Sequence, residues 1–143
     1  MGSYEFLPHT ADEKFVVTAN SLEDGFSTSV EAFFEILLGD AVRVDNKITK
    51  EFSLSAKKLR SLLYDFLNEL VFYFDSEDLL LQIVNDLAIS ENGDGTWSLV
   101  ASLSGDYHYD YPLRTEIKNM TYSEMEIKES DSGIWTLTVV VDI

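Results

Sequence analysis

The chain contains no cysteine. That excludes a disulfide framework, a zinc ribbon and a thiol nucleophile, and it is compatible with a reducing compartment. Histidine is nearly absent as well: His9 and His108 are the only two, and neither stands in a nucleophile-elbow or metal-helix pattern. There is no glycine-rich phosphate loop. No apolar run approaches the ~20 residues that span a bilayer, and the opening MGSYEFLPHT lacks both a basic cap and an apolar signal core, so a soluble, cytoplasmic protein is expected with no membrane partner. Basic residues are scarce too, with 10 Lys and Arg against 26 Asp and Glu and a formal net charge of -16. A surface of that sign repels phosphate backbones, so stable direct binding of nucleic acid is not expected. Cations and basic proteins remain as partners.

What is present is a chain of 143 residues, 45% of them hydrophobic. That is enough to build one core, and a single domain over residues 1–143 is expected. The stretch 59–81 organises it. Leu59, Leu62, Leu63, Phe66, Leu67, Leu70, Val71 and Phe74 follow the alternating three-and-four spacing of a helix with one broad buried face. Off that stripe, Asp65 and Glu69 lie one turn apart on one side, with Asn68 and Phe72 beside them. Paired carboxylates on a helix bind a cation, contact a basic partner or are simply solvated, and the spacing alone does not choose.

Taken in order, residues 4–7 form a strand closed by Pro8, and Phe15, Val17 and Ala19 mark a second. His9-Thr10-Ala11-Asp12 makes a tight connection between them. Ser21 reads as the N-cap of a first helix, with Glu23 and Asp24 at its positive end. Leu22, Phe26, Val30, Phe33, Phe34 and Leu37 form its buried stripe, and Gly39 stops it. Phe52, Leu54 and Ala56 alternate as a third strand, and Ser55 reads as a cap for the core helix. Asp75-Ser76-Glu77-Asp78 reads as an acidic turn that lacks the full oxygen-rich loop of an EF-hand. Residues 79–89 are extended, Asn92-Gly93-Asp94-Gly95 is a hairpin turn, and Trp97, Leu99, Ala101 and Leu103 form the return strand. Residues 105–115 have no period and read as a surface-exposed recognition loop. Residues 116–128 and 134–143 complete the strands, with Asp131-Ser132-Gly133 between them. The fold class is therefore α+β: a largely antiparallel or mixed sheet with two main helices packed on one face.

Two chemistries are within reach. His9 beside Asp12 allows a carboxylate-oriented imidazole, as in a hydrolase; a lone His after Pro is also an ordinary turn residue. Asp142, followed by Ile143, offers a side-chain carboxylate close to the main-chain terminal carboxylate, which suits an oxygen-preferring ion such as Ca²⁺ or Mg²⁺. The other reading is a solvated aspartate at a frayed strand end. Nothing local forces the loop at Asp12 to meet the last strand.

His9-Thr10-Ala11-Asp12, the helix segment Leu63-Tyr64-Asp65-Phe66-Leu67-Asn68-Glu69-Leu70 with Phe72-Tyr73-Phe74-Asp75-Ser76-Glu77, the Thr115-Glu116-Ile117-Lys118 and Thr121-Tyr122 pieces, and the closing Val140-Val141-Asp142-Ile143 together resemble the archease family. The matches run in family order over essentially the whole length. The resemblance implies a non-catalytic protein cofactor of the tRNA-splicing RNA ligase, the GTP- and metal-dependent enzyme that joins RNA ends carrying a terminal phosphate. Such a protein promotes guanylylation of the ligase and multiple turnover, as a monomer or weak oligomer. It also implies a divalent metal site at Asp12, Asp142 and Ile143, for Ca²⁺ or alternatively Mg²⁺ or Mn²⁺, and places Asp65, Glu69 and Lys118 at positions of ligase contact or activation. The chain departs from the family where Glu13-Lys14-Phe15 replaces a glycine-containing run and where Ser123 replaces a histidine. The alternative is a chaperone-like module for RNA-processing enzymes such as RNA methyltransferases; its client binding would be insensitive to Asp12→Ala.

Overall fold

The computed structural model describes residues 2–8 and 12–143; the expected connection at residues 9–11, and with it His9, lies outside the described residues. The strands are β1 (Ser3–Leu7), β2 (Glu13–Ala19), β3 (Ile48–Ala56), β4 (Leu79–Glu91), β5 (Trp97–Tyr107), β6 (Asn119–Glu129) and β7 (Trp135–Asp142). The helices are α1 (Leu22–Leu38) and α2 (Leu59–Glu77), with a short 3₁₀ turn at His108–Asp110. This is an α+β domain in which every strand pairing is antiparallel.

The strands divide between two sheets, in the orders β1-β2-β7-β6 and β3-β5-β4. The expected single sheet with both helices on one face is thus replaced by two sheets, and each helix touches strands of both. The physical reason is pairing that local patterns do not carry: β2 lies beside β7, so Phe15 faces Val139 and Val17 faces Leu137 across the whole length of the chain. Between the sheets runs one core, in which the Phe26 ring of α1 meets Phe66 of α2 at 5.6 Å and Phe66 meets Phe52 of β3 at 6.2 Å.

Local chemistry explains the ends of α1. The Asp24 amide donates to Ser21 Oγ at 3.1 Å, as an N-cap should. Gly39 takes φ 98° and its amide donates to the Glu35 carbonyl, a conformation open mainly to glycine. The amides of Arg114 and Thr115 then reach back to the Leu37 carbonyl, satisfying an acceptor that the helix itself leaves unpaired.

Four local expectations change. Ser55 does not cap α2; it lies in β3 opposite Ser98, and the cap position is Lys58, with no side-chain bond. Asp75, Ser76 and Glu77 continue the helix rather than turning, and Asp78 ends it in the left-handed region at φ 59°. Three acids at the negative end of a helix dipole are locally unfavourable. Here cationic and hydroxyl partners from elsewhere offset them: Lys50 binds Glu77 at 2.9 Å, and Tyr109 donates to Asp78 at 2.7 Å. The segment 105–115 is only partly a surface loop, because Gly105 and Asp106 are buried at the end of β5. Burial alone would raise the Asp106 pKa, but the Tyr107 amide, the Tyr111 hydroxyl and the Lys47 ammonium outweigh that and lower it. Finally, β6 begins at Asn119, three residues later than expected, because Ile117 turns into the core.

Candidate functional site

Two groups of polar residues come together around the first part of β6. In the first, Glu13 of β2 pairs with Val141 of β7, so Asp12 and Asp142 are each the next residue outward from that pair. On the other side of β7, Asn119 pairs with Asp142, and the Lys118 amide donates to the Asp142 carbonyl at 2.9 Å. Asp12, just before β2, thus meets the last strand through sheet register, across a sequence distance that no local pattern bridges. Asp12, Asp142 and Ile143 are half-buried, while the Lys118 side chain is exposed. The donors this corner offers are oxygens, the chemistry that a hard divalent cation prefers. Among the described residues, no three His, Cys, Asp or Glu side chains cluster closely enough to hold a metal ion by themselves.

The second group lies on α2. Asp65 and Glu69 are half-buried one turn apart. Desolvation raises the pKa of both carboxyls, and the Asp65 charge raises Glu69 further. Tyr73, one turn on, is raised by burial first and then by Glu69 and Glu77, against an opposing effect of Lys50. Between the two groups, Asn68 Oδ1 accepts from the Met120 amide at 3.4 Å, and Met120 pairs with Val141. The Asp65–Glu69 turn of α2 is therefore tied through β6 to the strand that ends in Asp142.

Residues to which the sequence assigned no role hold this arrangement. The β6–β7 register shifts between Thr121 and Glu126, with Glu124 at φ 59°. The bulged segment is gripped from two sides. Tyr122 stacks on Tyr64 of α2 at 3.9 Å with rings 9° from parallel, under the guanidinium of Arg60 at 5.7 Å; Glu124 accepts from Lys14 of β2 at 2.7 Å. Ser123 is exposed between them. Tyr64 and Arg60 stand at helical spacing, but their partner lies about half the chain away, so only the structure finds it. The other histidine, His108, sits at the far end of α2, with Nε2 3.4 Å from Asp78 and its ring on Phe74 at 5.2 Å.

The raised carboxyls carry a stability consequence. Folding holds a proton on Glu69 to higher pH than the unfolded chain does. The stabilising contribution is therefore complete below the unfolded pKa and is lost as pH rises through the folded one. At neutral pH the ionised group costs stability, and Glu69→Gln is expected to raise the thermal midpoint modestly at pH 7, with the gain vanishing in acid. Melting curves at both pH values check this; an equal change at both, or a loss at neutral pH, contradicts it.

The chain matches the model of the Archease protein family (MTH1598/TM1083) over residues 4–143. It is 35% identical over 142 residues to Protein archease of Methanosarcina acetivorans, covering 98% of this chain and 95% of that one. It is 34% identical over 145 residues to Protein archease of Aeropyrum pernix, covering 99% and 98%. The fold is similar to the solution structure of protein 1598 of Methanobacterium thermoautotrophicum, with a TM-score of 0.81, 30% identity and 98% of each chain covered.

Proposed function

Since the chain belongs to the archease family, we propose that it serves as the protein cofactor of the tRNA-splicing RNA ligase, promoting guanylylation of the ligase and sustaining multiple turnover without joining RNA itself. The observation that carries this reading is the shared corner of Asp12 and Asp142, anchored by the Lys118 amide and tied through Met120 and Asn68 to the Asp65–Glu69 turn. The six residues named by family resemblance, far apart in sequence, belong to elements that these contacts connect, which supports the reading. The net charge of -16 complements the basic groove that an RNA ligase needs for its substrate and favours fast, transient encounter.

In this reading Asp12, Asp142 and a main-chain oxygen of Ile143 hold a divalent ion, with Ca²⁺ preferred and Mg²⁺ or Mn²⁺ as alternatives. Such an ion would supply positive charge that fastens the start of β2 to the end of β7. Asp65 and Glu69 present carboxylates to the ligase, where their raised proton affinity equips them to take up a proton or to offer oxygens to a cation. Lys118, exposed beside Asp142, brings the opposite charge to a phosphate or an acidic group.

The test is guanylylation and multiple-turnover joining by the matching ligase with substoichiometric amounts of this chain. Wild type is expected to restore turnover, and Asp12→Ala or Asp142→Ala to reduce the effect by about 10- to 100-fold, the range seen when a metal centre loses a supporting group. Both variants should remain folded by circular dichroism. Excess chelator, removed before the ligase's own metal is added back, should mimic them. An active ligase on which wild type has no effect overturns the proposal.

A further inference from the structure

Helix α1 surfaces along a single line. Twelve of its 17 residues are buried, and the rest, Glu23, Asp24, Ser27, Glu31 and Glu35, follow one helical stripe. Three hollows open above that stripe. The first, of about 290 Å³, reaches from Gly2 and Asp24 to Glu31. The second, also about 290 Å³, lies over Tyr4, Glu31 and Glu35. The third, about 200 Å³, lies over Phe6, Glu13 and Glu35. Neighbouring hollows share lining residues, Glu31 and Gln82 for the first pair and Glu35 for the second pair. Together they are one trough.

Its walls are strand edges. Gly2, just before β1, and Tyr4 and Phe6 within it line the three hollows in turn, and Gln82, Ile83 and Val84 of β4 line the opposite side of the first two. β1 and β4 are the outer strands of different sheets, so the trough is where two sheet edges face each other over a helix. The β4 edge is already engaged. Gln82 accepts from the Val44 amide and donates to the Val42 carbonyl, and Glu23 accepts from the Ile89 amide. Beyond β1 there is no strand among the described residues. From residue 2 to residue 6 the edge runs about 13 Å, and Asp24 to Glu35 about 16 Å, which matches four or five residues of extended chain.

The charge along the trough selects the occupant. Glu13, Asp24, Glu31, Glu35 and Asp40 line it, against Arg43 and Arg114, and both guanidinium groups already donate to main-chain carbonyls, of Val42 and Glu35 respectively. We propose that this trough receives an extended basic segment of a partner protein, which adds as a strand to the edge of β1 while alternate Lys or Arg side chains meet Glu31 and Glu35, the latter also accepting from the Tyr4 hydroxyl of β1. Main-chain pairing to an open edge provides the affinity in such strand addition, and the alternating side chains provide the choice of sequence. The trough lies along α1, away from the Asp65–Glu69 turn of α2, and reaches the neighbourhood of the Asp12–Asp142 corner only through Glu13 at its end; the test reads it without the ligase.

The test titrates the full chain, labelled with ¹⁵N, with an eight-residue peptide alternating lysine and valine, with the same peptide N-methylated at every second amide, and with its glutamate counterpart. Saturable amide shifts are expected at residues 3–7 and 31–35 with the first peptide only. Glu31→Lys should weaken its binding at least about tenfold, since a like charge in a contact costs several kcal/mol. Glu51→Lys, the same charge change on the exposed face of β3 and at none of the three hollows, should leave it within about threefold, as expected of a solvent-screened charge outside the contact. Equal weakening by both variants means general attraction to an acidic chain and overturns the proposal. So do binding that survives N-methylation, shifts centred on residues 65–73, and the absence of saturable shifts at β1.

Discussion

Phe66→Ala is expected to cost about 3–5 kcal/mol of folding stability, the usual range for removing a buried phenylalanine. The ring is fully buried in α2 and touches Phe26 of α1 and Phe52 of β3. It therefore joins both helices and the second sheet at one point. Its loss leaves a cavity whose walls are an aromatic ring and two packed elements, none of which closes the gap without moving the others. For a domain whose total stability is about 5–15 kcal/mol, the variant should sit near the edge of unfolding at 37 °C. Urea denaturation gives the measurement, with Phe72→Ala as the comparison. Phe72 is six residues on along the same helix but 54% exposed, and its truncation should change stability by less than about 0.5 kcal/mol. Similar losses in the two variants would contradict the placement of Phe66 as the joint of the core.

Gly105→Ala should be comparably damaging for a different reason. A Cβ at this position would collide with the Leu80 carbonyl oxygen and lie 2.7 Å from the Leu80 carbonyl carbon. Both are backbone atoms, which no rotamer change moves aside. The glycine is needed for space, where β5 passes close under β4 and the ladder slips between Leu80 and Ile83. Gly105 also pairs with Ile48, and its carbonyl accepts from the Lys47 amide, so a shift of β5 disturbs β3 as well. A loss of about 3 kcal/mol is expected, at the upper end for overpacking, with faster amide exchange in residues 79–84. Gly93→Ala, in the hairpin turn with nothing within 4 Å, is the control. A Gly105→Ala protein as stable as this control would overturn the account.

What was legible in the sequence was what one element carries within itself. The Leu62, Phe66 and Leu70 stripe, the alternation of Phe52, Leu54 and Ala56, the Ser21 cap and the 92–95 turn each express a local period or a local bond, and each appears in the structure. Pairing between distant segments was not legible. Nothing in 13–19 or 135–142 says that those strands are neighbours, so the division into two sheets could not be read. For the same reason Ser55 looked like a cap and 75–78 like a turn: the partners that extend α2 to Glu77, Lys50 and Tyr109, come from elsewhere. Family resemblance named Asp12, Asp142 and Lys118 as single residues. Their adjacency came from the β2–β7 and β6–β7 registers, and Tyr64, Asn68 and Tyr122 stood in the motifs that carry the resemblance with nothing local to pair them.

The place of β7 inside its sheet has a consequence for the order of assembly. β1 and β2 are the first strands made, yet the strand that must lie against β2 is the last of the seven. A chain emerging at roughly 5–20 residues per second therefore holds the inner edge of β2 open for most of its synthesis. The slow step expected of such distant pairing is the insertion of β7 between β2 and β6. Until that step is complete Asp12 has no Asp142 beside it and the Lys118 amide has no carbonyl to meet. The acidic corner thus comes into being only once β7 has been made and inserted, so its two carboxylates report on the completion of this sheet rather than on the folding of either end alone.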